Sequence, residues 1–242
     1  ENIRKVFEEM GVSGEIIVSD SSTDRTPDIA RELGAVVVHP SHRGYGFAYL
    51  EAFTHARGTY IVMGDADNTY DFFELPLLVR ELDLGADLVI GSRFAGELKK
   101  GAMTPLHQYI GNPLLTWVLN AVFHTDFSDA HSGFRAIRAD ALKKLDLQSW
   151  GMELASEMLI KASREGLTIA EVPITYYPRK TPSKLSSFSD GWRHIRFILL
   201  LKPIPFLTIP GIFFAFFGLL MMAAFYASSE YPGVRTHSFI LG

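Results

Sequence analysis

An α/β fold with a mostly parallel sheet and crossover helices, followed by juxtamembrane and transmembrane helices, is predicted by three features of this sequence. Short apolar runs rich in β-branched residues, Glu15–Val18, Ala35–Val38, Tyr60–Met63 and Asp87–Gly91, alternate with helical segments. Those runs end abruptly in polar residues, Asp20, Asp65 and Arg93 among them, as buried parallel strands do when they deliver side chains to the carboxyl edge of a sheet. Finally, no residue from Pro203 to Ser229 is charged, and Phe206–Ala227 is 22 residues of almost wholly apolar sequence, long enough for a helix to cross a bilayer core.

The composition narrows the function. With 242 residues, 48% of them apolar, and a net charge of −4, the chain fits one sizeable globular domain with an unusually hydrophobic end. The near-neutral balance argues against nucleic acid as the main partner. The absence of cysteine excludes disulfides, thiolate catalysis and cysteine-based zinc sites.

In chain order, Ile3, Val6, Phe7 and Met10 form one stripe of an opening helix. An α/β sheet that opens on a helix is expected to lack a strand before it. The first visible strand runs into Ser19-Asp20-Ser21-Ser22-Thr23-Asp24, and a helix follows from about Pro27 to Leu33 with Thr26 as N-cap. After the second strand, His42-Arg43-Gly44-Tyr45-Gly46 leads into a helix carrying Phe47, Leu50, Ala52 and Phe53; its glycines do not match the dinucleotide-binding fingerprint. The third strand leads to Asp65 and Asp67, a helix covers about Phe72–Leu82, and the fourth strand leads to Arg93. Further on, Pro105–Phe123 reads as one or two helices, either grazing a membrane or paired in the core. Gly151–Glu157 opens a helix, and Ile169–Tyr177 is a strand that Pro173 assigns to a sheet edge.

Residues i and i+2 of an extended segment point the same way, so Asp65 and Asp67 can converge on one object. Two hard anionic oxygens suit Mg²⁺ or Mn²⁺, ions that commonly bridge to substrate phosphates. A solvated turn after a strand is the plainer alternative, since aspartate is common in turns. In a parallel sheet Asp20, Arg43, Asp65, Asp67 and Arg93 would all lie beyond the carboxyl ends of the strands, equipment suited to a diphosphate-bearing ligand. Helix capping by Asp20 and Asp24, and a surface ion pair for Arg93, are the structural alternatives.

The succession Ser19–Asp24, Arg43-Gly44-Tyr45-Gly46, Asp65-Ala66-Asp67, Gly91-Ser92-Arg93 and Ser128-Asp129-Ala130-His131-Ser132-Gly133-Phe134-Arg135 resembles family 2 glycosyltransferases, and within them the polyprenyl-phosphate sugar synthases of the dolichyl-phosphate mannose and glucose type. The resemblance implies a GT-A-type fold and an inverting transfer from a nucleotide diphosphate sugar to a polyprenyl phosphate. It assigns Asp20, Arg43, Asp65, Asp67 and Arg93 to the donor, with Asp65 and Asp67 holding the metal. Asp129, Asp67 and Arg135 are the implied catalytic residues, Asp129 as an orienting or assisting carboxylate, and Ser132, Arg135 and Lys184 receive the acceptor phosphate. Three departures stand out. The family's first strand is absent, its Asp-Asp-Gly-Ser reads Ser19-Asp20-Ser21-Ser22, and Thr69 stands where mannose synthases carry a metal-assisting glutamine. The rival readings are transfer to another glycolipid or polysaccharide acceptor, and a membrane-tethered nucleotide-sugar-binding protein without activity.

The expected organisation is a catalytic domain over residues 1–183, a juxtamembrane amphipathic segment over 184–202, and a transmembrane region over 203–242 with one span and a second cut short. Lys184, Arg193, Arg196 and Lys202 precede the span, whereas only Glu230 and Arg235 follow it, so the positive-inside rule assigns the long N-terminal part to the cytoplasm. The expected location is a cell membrane, multi-pass when complete. The expected partners are the nucleotide sugar, the lipid phosphate and the bilayer, and a homo-oligomer is one compatible assembly.

Overall fold

The structure, a computed structural model, describes residues 1–180, 187–201 and 207–227. Lys184 and the residues in which a second span was expected lie outside the described residues. The chain divides into two compact units, Glu1–Ile195 and Arg196–Gly242.

In the first unit, α1 (Asn2–Met10) buries Val6 and rests Phe7 and Met10 on the core, and Gly11, at φ 63°, ends it in the left-handed conformation. Strands β1 (Ile17–Ser19) and β2 (Val36–Val38) form a separate parallel pair with Ile17 opposite Val36. Helix α2 (Thr26–Glu32) crosses between them with Pro27 in its first turn; Arg25, not Thr26, takes the N-cap position, and Asp24 just before it accepts from the Thr26 N–H at 2.8 Å. Helix α3 (Tyr45–His55), strand β3 (Tyr60–Met63), a 3₁₀ turn (Phe72–Glu74), α4 (Leu75–Asp83) and β4 (Leu88–Leu98) follow. A π-helical stretch (His107–Gly111) runs into α5 (Asn112–Phe123), and then come β5 (Arg135–Arg138), α6 (Ala139–Lys144), α7 (Leu154–Arg164) and β6 (Ile169–Tyr176).

The larger sheet has the order β3-β5-β4-β6 and is mixed, which corrects the expectation of a mostly parallel sheet. Strand β5 pairs antiparallel with both β3 and β4, whereas β4 and β6 are parallel. After β4 the chain makes its long excursion on the carboxyl side of the strands, so its return between β3 and β4 has to run the opposite way. The residues of β5, Arg-Ala-Ile-Arg, carry no β-branched run to mark them. Strand β6 is at the edge, as Pro173 predicts, with Pro173 opposite Ser92.

Leu78 and Leu82 of α4 pack on Val89, Phe134, Ala136 and Ile174 to form the core. Burying each leucine contributes about 1.5–3 kcal/mol. Phe134 anchors this core just under the end of β3, stacked on Tyr70 at 5.4 Å and meeting Phe72 edge-on at 5.7 Å.

Helix α5 buries Thr116, Leu119 and Val122, while Leu114 and Trp117, with Leu106, Tyr109 and Ile110 on the preceding turns, are exposed. Helix α8 (Ser187–Leu201) crosses the boundary between the two units, and α9 (Ile209–Ala227) lies in the second. Helix α9 has 19 residues, no charged side chain and no buried residue, and is long and apolar enough to cross a membrane.

Candidate active site

The carboxyl end of β1 turns through Asp20, whose two oxygens accept from the Ser22 N–H at 2.9 Å and the Ser22 hydroxyl at 2.6 Å. The turn lines a cleft of about 500 Å³, with Arg43 contributed by the loop before α3. Asp20 and Arg43 thus line the same cleft. Helix α3 begins close against the Ser149–Gly151 backbone: a Cβ on Gly46 would clash with the Ser149 carbonyl, so only glycine fits there.

A second group gathers at the ends of β3, β4 and β6. Asp65 accepts from the Tyr49 hydroxyl at 3.2 Å. Burial pushes its carboxyl above the ordinary range and the neighbouring Asp67 adds to this, against the opposing pull of Tyr49, Arg179 and Arg93. Asp67 is held on both sides. Its Oδ1 accepts from the Thr69 N–H at 3.1 Å and the Thr69 hydroxyl at 2.6 Å, and its Oδ2 meets Arg179 Nε at 2.6 Å. The two carboxylates therefore share one loop, and the Asp67 charge is felt at Asp65.

Arg93 and Asp129 make a buried bidentate pair, Nε to Oδ2 at 2.7 Å and Nη2 to Oδ1 at 2.8 Å, and the Arg93 backbone N–H reaches Oδ2 at 3.1 Å. The guanidinium also stacks on Tyr176 at 5.2 Å. Burial alone would raise the Asp129 carboxyl, but the Arg93 charge and hydrogen bonds outweigh it and hold it below the usual range. Asp129 is therefore ionised with both oxygens engaged, a geometry suited to orienting and poor for proton abstraction. The Arg93 fork, expected at the donor, is likewise committed within the protein to Asp129. Glu171 of β6 fixes the loop, accepting the backbone N–H groups of Ser128 at 3.0 Å and Asp129 at 3.3 Å.

Ser132 and Arg135, the residues expected to receive an acceptor phosphate, are engaged within the protein. Both are fully buried. The Arg135 guanidinium donates to three backbone carbonyls, those of Ser132 at 2.8 Å, Ala130 at 2.8 Å and Ala155 at 2.7 Å, tying the Asp129 loop to the start of α7. Neighbouring Gly133 donates its N–H to the Tyr70 hydroxyl at 2.8 Å. A Cβ there would lie 2.9 Å from the Tyr45 hydroxyl and 3.2 Å from Asp65 Oδ2, so glycine lets the loop close over Asp65.

Arg179, Tyr49, Thr69 and Glu171 received no site role from the sequence. Strand β6 runs parallel to β4, so its carboxyl end, with Arg179 just beyond, reaches the edge that carries Asp65 and Asp67; knowing its direction would have pointed to Arg179. Another unassigned residue is His131, whose ring nitrogens are shielded from solvent without a hydrogen-bond partner among the described residues. Its ring sits 4.6 Å from that of His194 in α8, and His194 Nδ1 contacts the Ser156 hydroxyl at 3.0 Å.

Known proteins resemble this chain in sequence and in fold. The family model described as "Glycosyl transferase family 2" matches residues 15–146. The low-salt glycan biosynthesis hexosyltransferase Agl6 of Haloferax volcanii is 48% identical over 96% of this chain, which spans 57% of that relative's length. A dolichyl-phosphate hexose transferase of the same organism is 34% identical, covering 73% of this chain and 76% of its own. Among solved structures, glucosyl-3-phosphoglycerate synthase from Mycobacterium tuberculosis in complex with Mn²⁺, UDP and glucosyl-3-phosphoglycerate superposes with a TM-score of 0.62 at 26% identity, covering 82% of this chain and 74% of that one. The fold is GT-A-like, and this chain, with its paired acids at the end of β3 and its Ser-Gly-Phe-Arg loop closed over them, belongs to glycosyl transferase family 2.

Proposed function

We propose that the protein transfers a hexose from a nucleotide diphosphate sugar to a polyprenyl phosphate at a membrane surface, with inversion at the anomeric carbon. The observation that carries this is the pair of acids, Asp65 and Asp67, held by Tyr49 and Thr69 at the carboxyl edge of the sheet, together with the cleft that Asp20 and Arg43 line. Two carboxylates without a closed cage of further protein ligands suit Mg²⁺ or Mn²⁺, which complete their shell with substrate phosphate and water; among the described residues no group of three or more potential ligands gathers. A cation bound there supplies neutralisation of the charge that develops on the leaving diphosphate. The Mn²⁺- and UDP-containing relative supports this choice.

The chain's own residues have distinct tasks. Asp20 and Arg43 line the donor cleft. Tyr49 and Thr69 set the rotamers of Asp65 and Asp67. Asp129, locked to Arg93, is a fixed negative post that positions the loop, and Arg135 holds that loop from behind. A phosphate monoester, with a second pKa of about 6, is already largely dianionic at neutral pH, so an acceptor of this kind needs placing more than deprotonating. That fits an Asp129 with no free oxygen. Lys184, outside the described residues, keeps the acceptor-phosphate role assigned from the sequence.

The lipid acceptor is supported by the span at α9, by the exposed apolar residues of α5 and the turns before it, and by the name of the dolichyl-phosphate relative. The basic residues ahead of the span support a cytoplasmic catalytic unit. The test is to incubate the full chain in membranes with a panel of labelled nucleotide sugars, Mg²⁺ or Mn²⁺, and a polyprenyl phosphate. Label in an acid-labile phospho-linked lipid is expected. Label in another glycolipid or glycan, or nucleotide-sugar binding with no transfer, would overturn this reading.

A further inference from the structure

Arg179 makes a contact that its function must break. Asp67 Oδ1 is filled by two donors from Thr69, which leaves Oδ2 as the oxygen available to a cation, and Arg179 Nε already occupies it at 2.6 Å. A divalent ion ligates a carboxylate oxygen at about 2.0–2.2 Å and cannot share this one with a guanidinium pressed against it. The two side chains are 26% and 21% exposed, so the pair is neither sealed nor freely solvated.

The chain around Arg179 is built to let go. Strand β6 is pinned at its end, where Tyr176 bridges to Tyr70 and the Tyr177 N–H donates to the Thr69 carbonyl at 2.9 Å. Pro178, Arg179 and Lys180 belong to no helix or strand. The loop that carries Asp67 is thus tied to the chain up to Tyr177, and among the described residues past that point Arg179 ties back to it through its side chain. Thr69 keeps Asp67 oriented whether or not the guanidinium is present.

We propose that Arg179 is a displaceable counter-ion for Asp67: a divalent cation arriving at Asp65 and Asp67 ejects the guanidinium and frees the segment that follows β6. The proposal rests on the cation site of the preceding section. In the empty site Arg179 offsets the repulsion between the two acids. On loading, the cation takes over that task, and the released guanidinium becomes available to the anionic ligand that accompanies it. Cation loading and the position of residues 178–180 are therefore one equilibrium.

The experiment titrates the full chain, wild type and Arg179→Gln, with Mn²⁺ alone, reading free Mn²⁺ by electron paramagnetic resonance and amide exchange over residues 178–180 by mass spectrometry. Arg179→Gln should bind Mn²⁺ roughly three- to tenfold more tightly, the range for a partly screened ion pair. In the wild type, Mn²⁺ should speed exchange at residues 178–180, whereas in Arg179→Gln exchange should already be fast and unresponsive. Equal or weaker Mn²⁺ affinity in the variant, or wild-type exchange that Mn²⁺ leaves unchanged or slows, would overturn the displacement. Failure of both proteins to bind Mn²⁺ saturably would instead remove the cation site, and the displacement with it. The exchange measurement on the wild type stands even if the variant folds poorly.

Discussion

Asp129 and Arg93 exchange two side-chain hydrogen bonds out of reach of water, so neither partner is dispensable alone. Arg93→Met should cost about 3–5 kcal/mol in denaturant unfolding, because it strands a buried carboxylate, while adding Asp129→Leu should recover most of the loss. The depressed Asp129 carboxyl contributes stability that is present above the unfolded value of about 3.9 and is lost as pH falls through the lower folded value. His131 acts at milder pH. Burial, with the neighbouring His194 charge, holds its ring well below the ordinary value, against the opposing pull of Asp129 and with Arg93 and Arg135 also disfavouring the proton. Only the unfolded chain takes up that proton as pH drops below about 6.5, so stability should decline there by up to about 1.4 kcal/mol per pH unit, and His131→Asn should flatten the slope in a pH series of thermal melts. Gly133→Ala should lower transfer far more than stability, since the added methyl pushes on the Tyr45 hydroxyl and Asp65 rather than on the core. At this scale, Asp20, Asp65 and Asp67 were legible because a strand end and an i, i+2 spacing are local facts. The inward turn of Arg135 was not, because its acceptor carbonyl at Ala155 is brought in by a different helix.

Among the elements, helices α1 to α4 and the first three strands follow their apolar periodicity closely. Strand β4 extends to Leu98, past the Gly91 where its apolar run stops, because β6 pairs with its far end around a bulge between Ser92 and Glu97. Strand β5, which begins at Arg135, has no hydrophobic signature of its own, because a strand flanked by arginines is marked only once both its neighbours are known. In the segment Pro105–Phe123 one face supports the core through Leu119 and Val122, whereas Leu106, Tyr109, Ile110, Leu114 and Trp117 are exposed. Replacing Leu106, Ile110 and Trp117 together with glutamine should weaken association with anionic vesicles while leaving the unfolding midpoint nearly unchanged, since these side chains are exposed; flotation and thermal melts check the two halves.

For the whole molecule, orientation is the measurable property. The absence of cysteine makes a single Glu165→Cys substitution, at the exposed end of α7, a clean reporter. A membrane-impermeant maleimide should label it in inside-out vesicles and spare it in right-side-out ones. The antiparallel return of β5 also bears on how the molecule is made. Tyr60 pairs with Arg138 and Met63 with Arg135, so the strand leading to the acidic loop has no neighbour in its sheet until the ribosome has delivered the Ser-Gly-Phe-Arg stretch. Nascent chains arrested before that stretch should leave Asp65 and Asp67 on an unpaired, protease-sensitive edge, and the site should mature late in synthesis, as contacts of long sequence separation do.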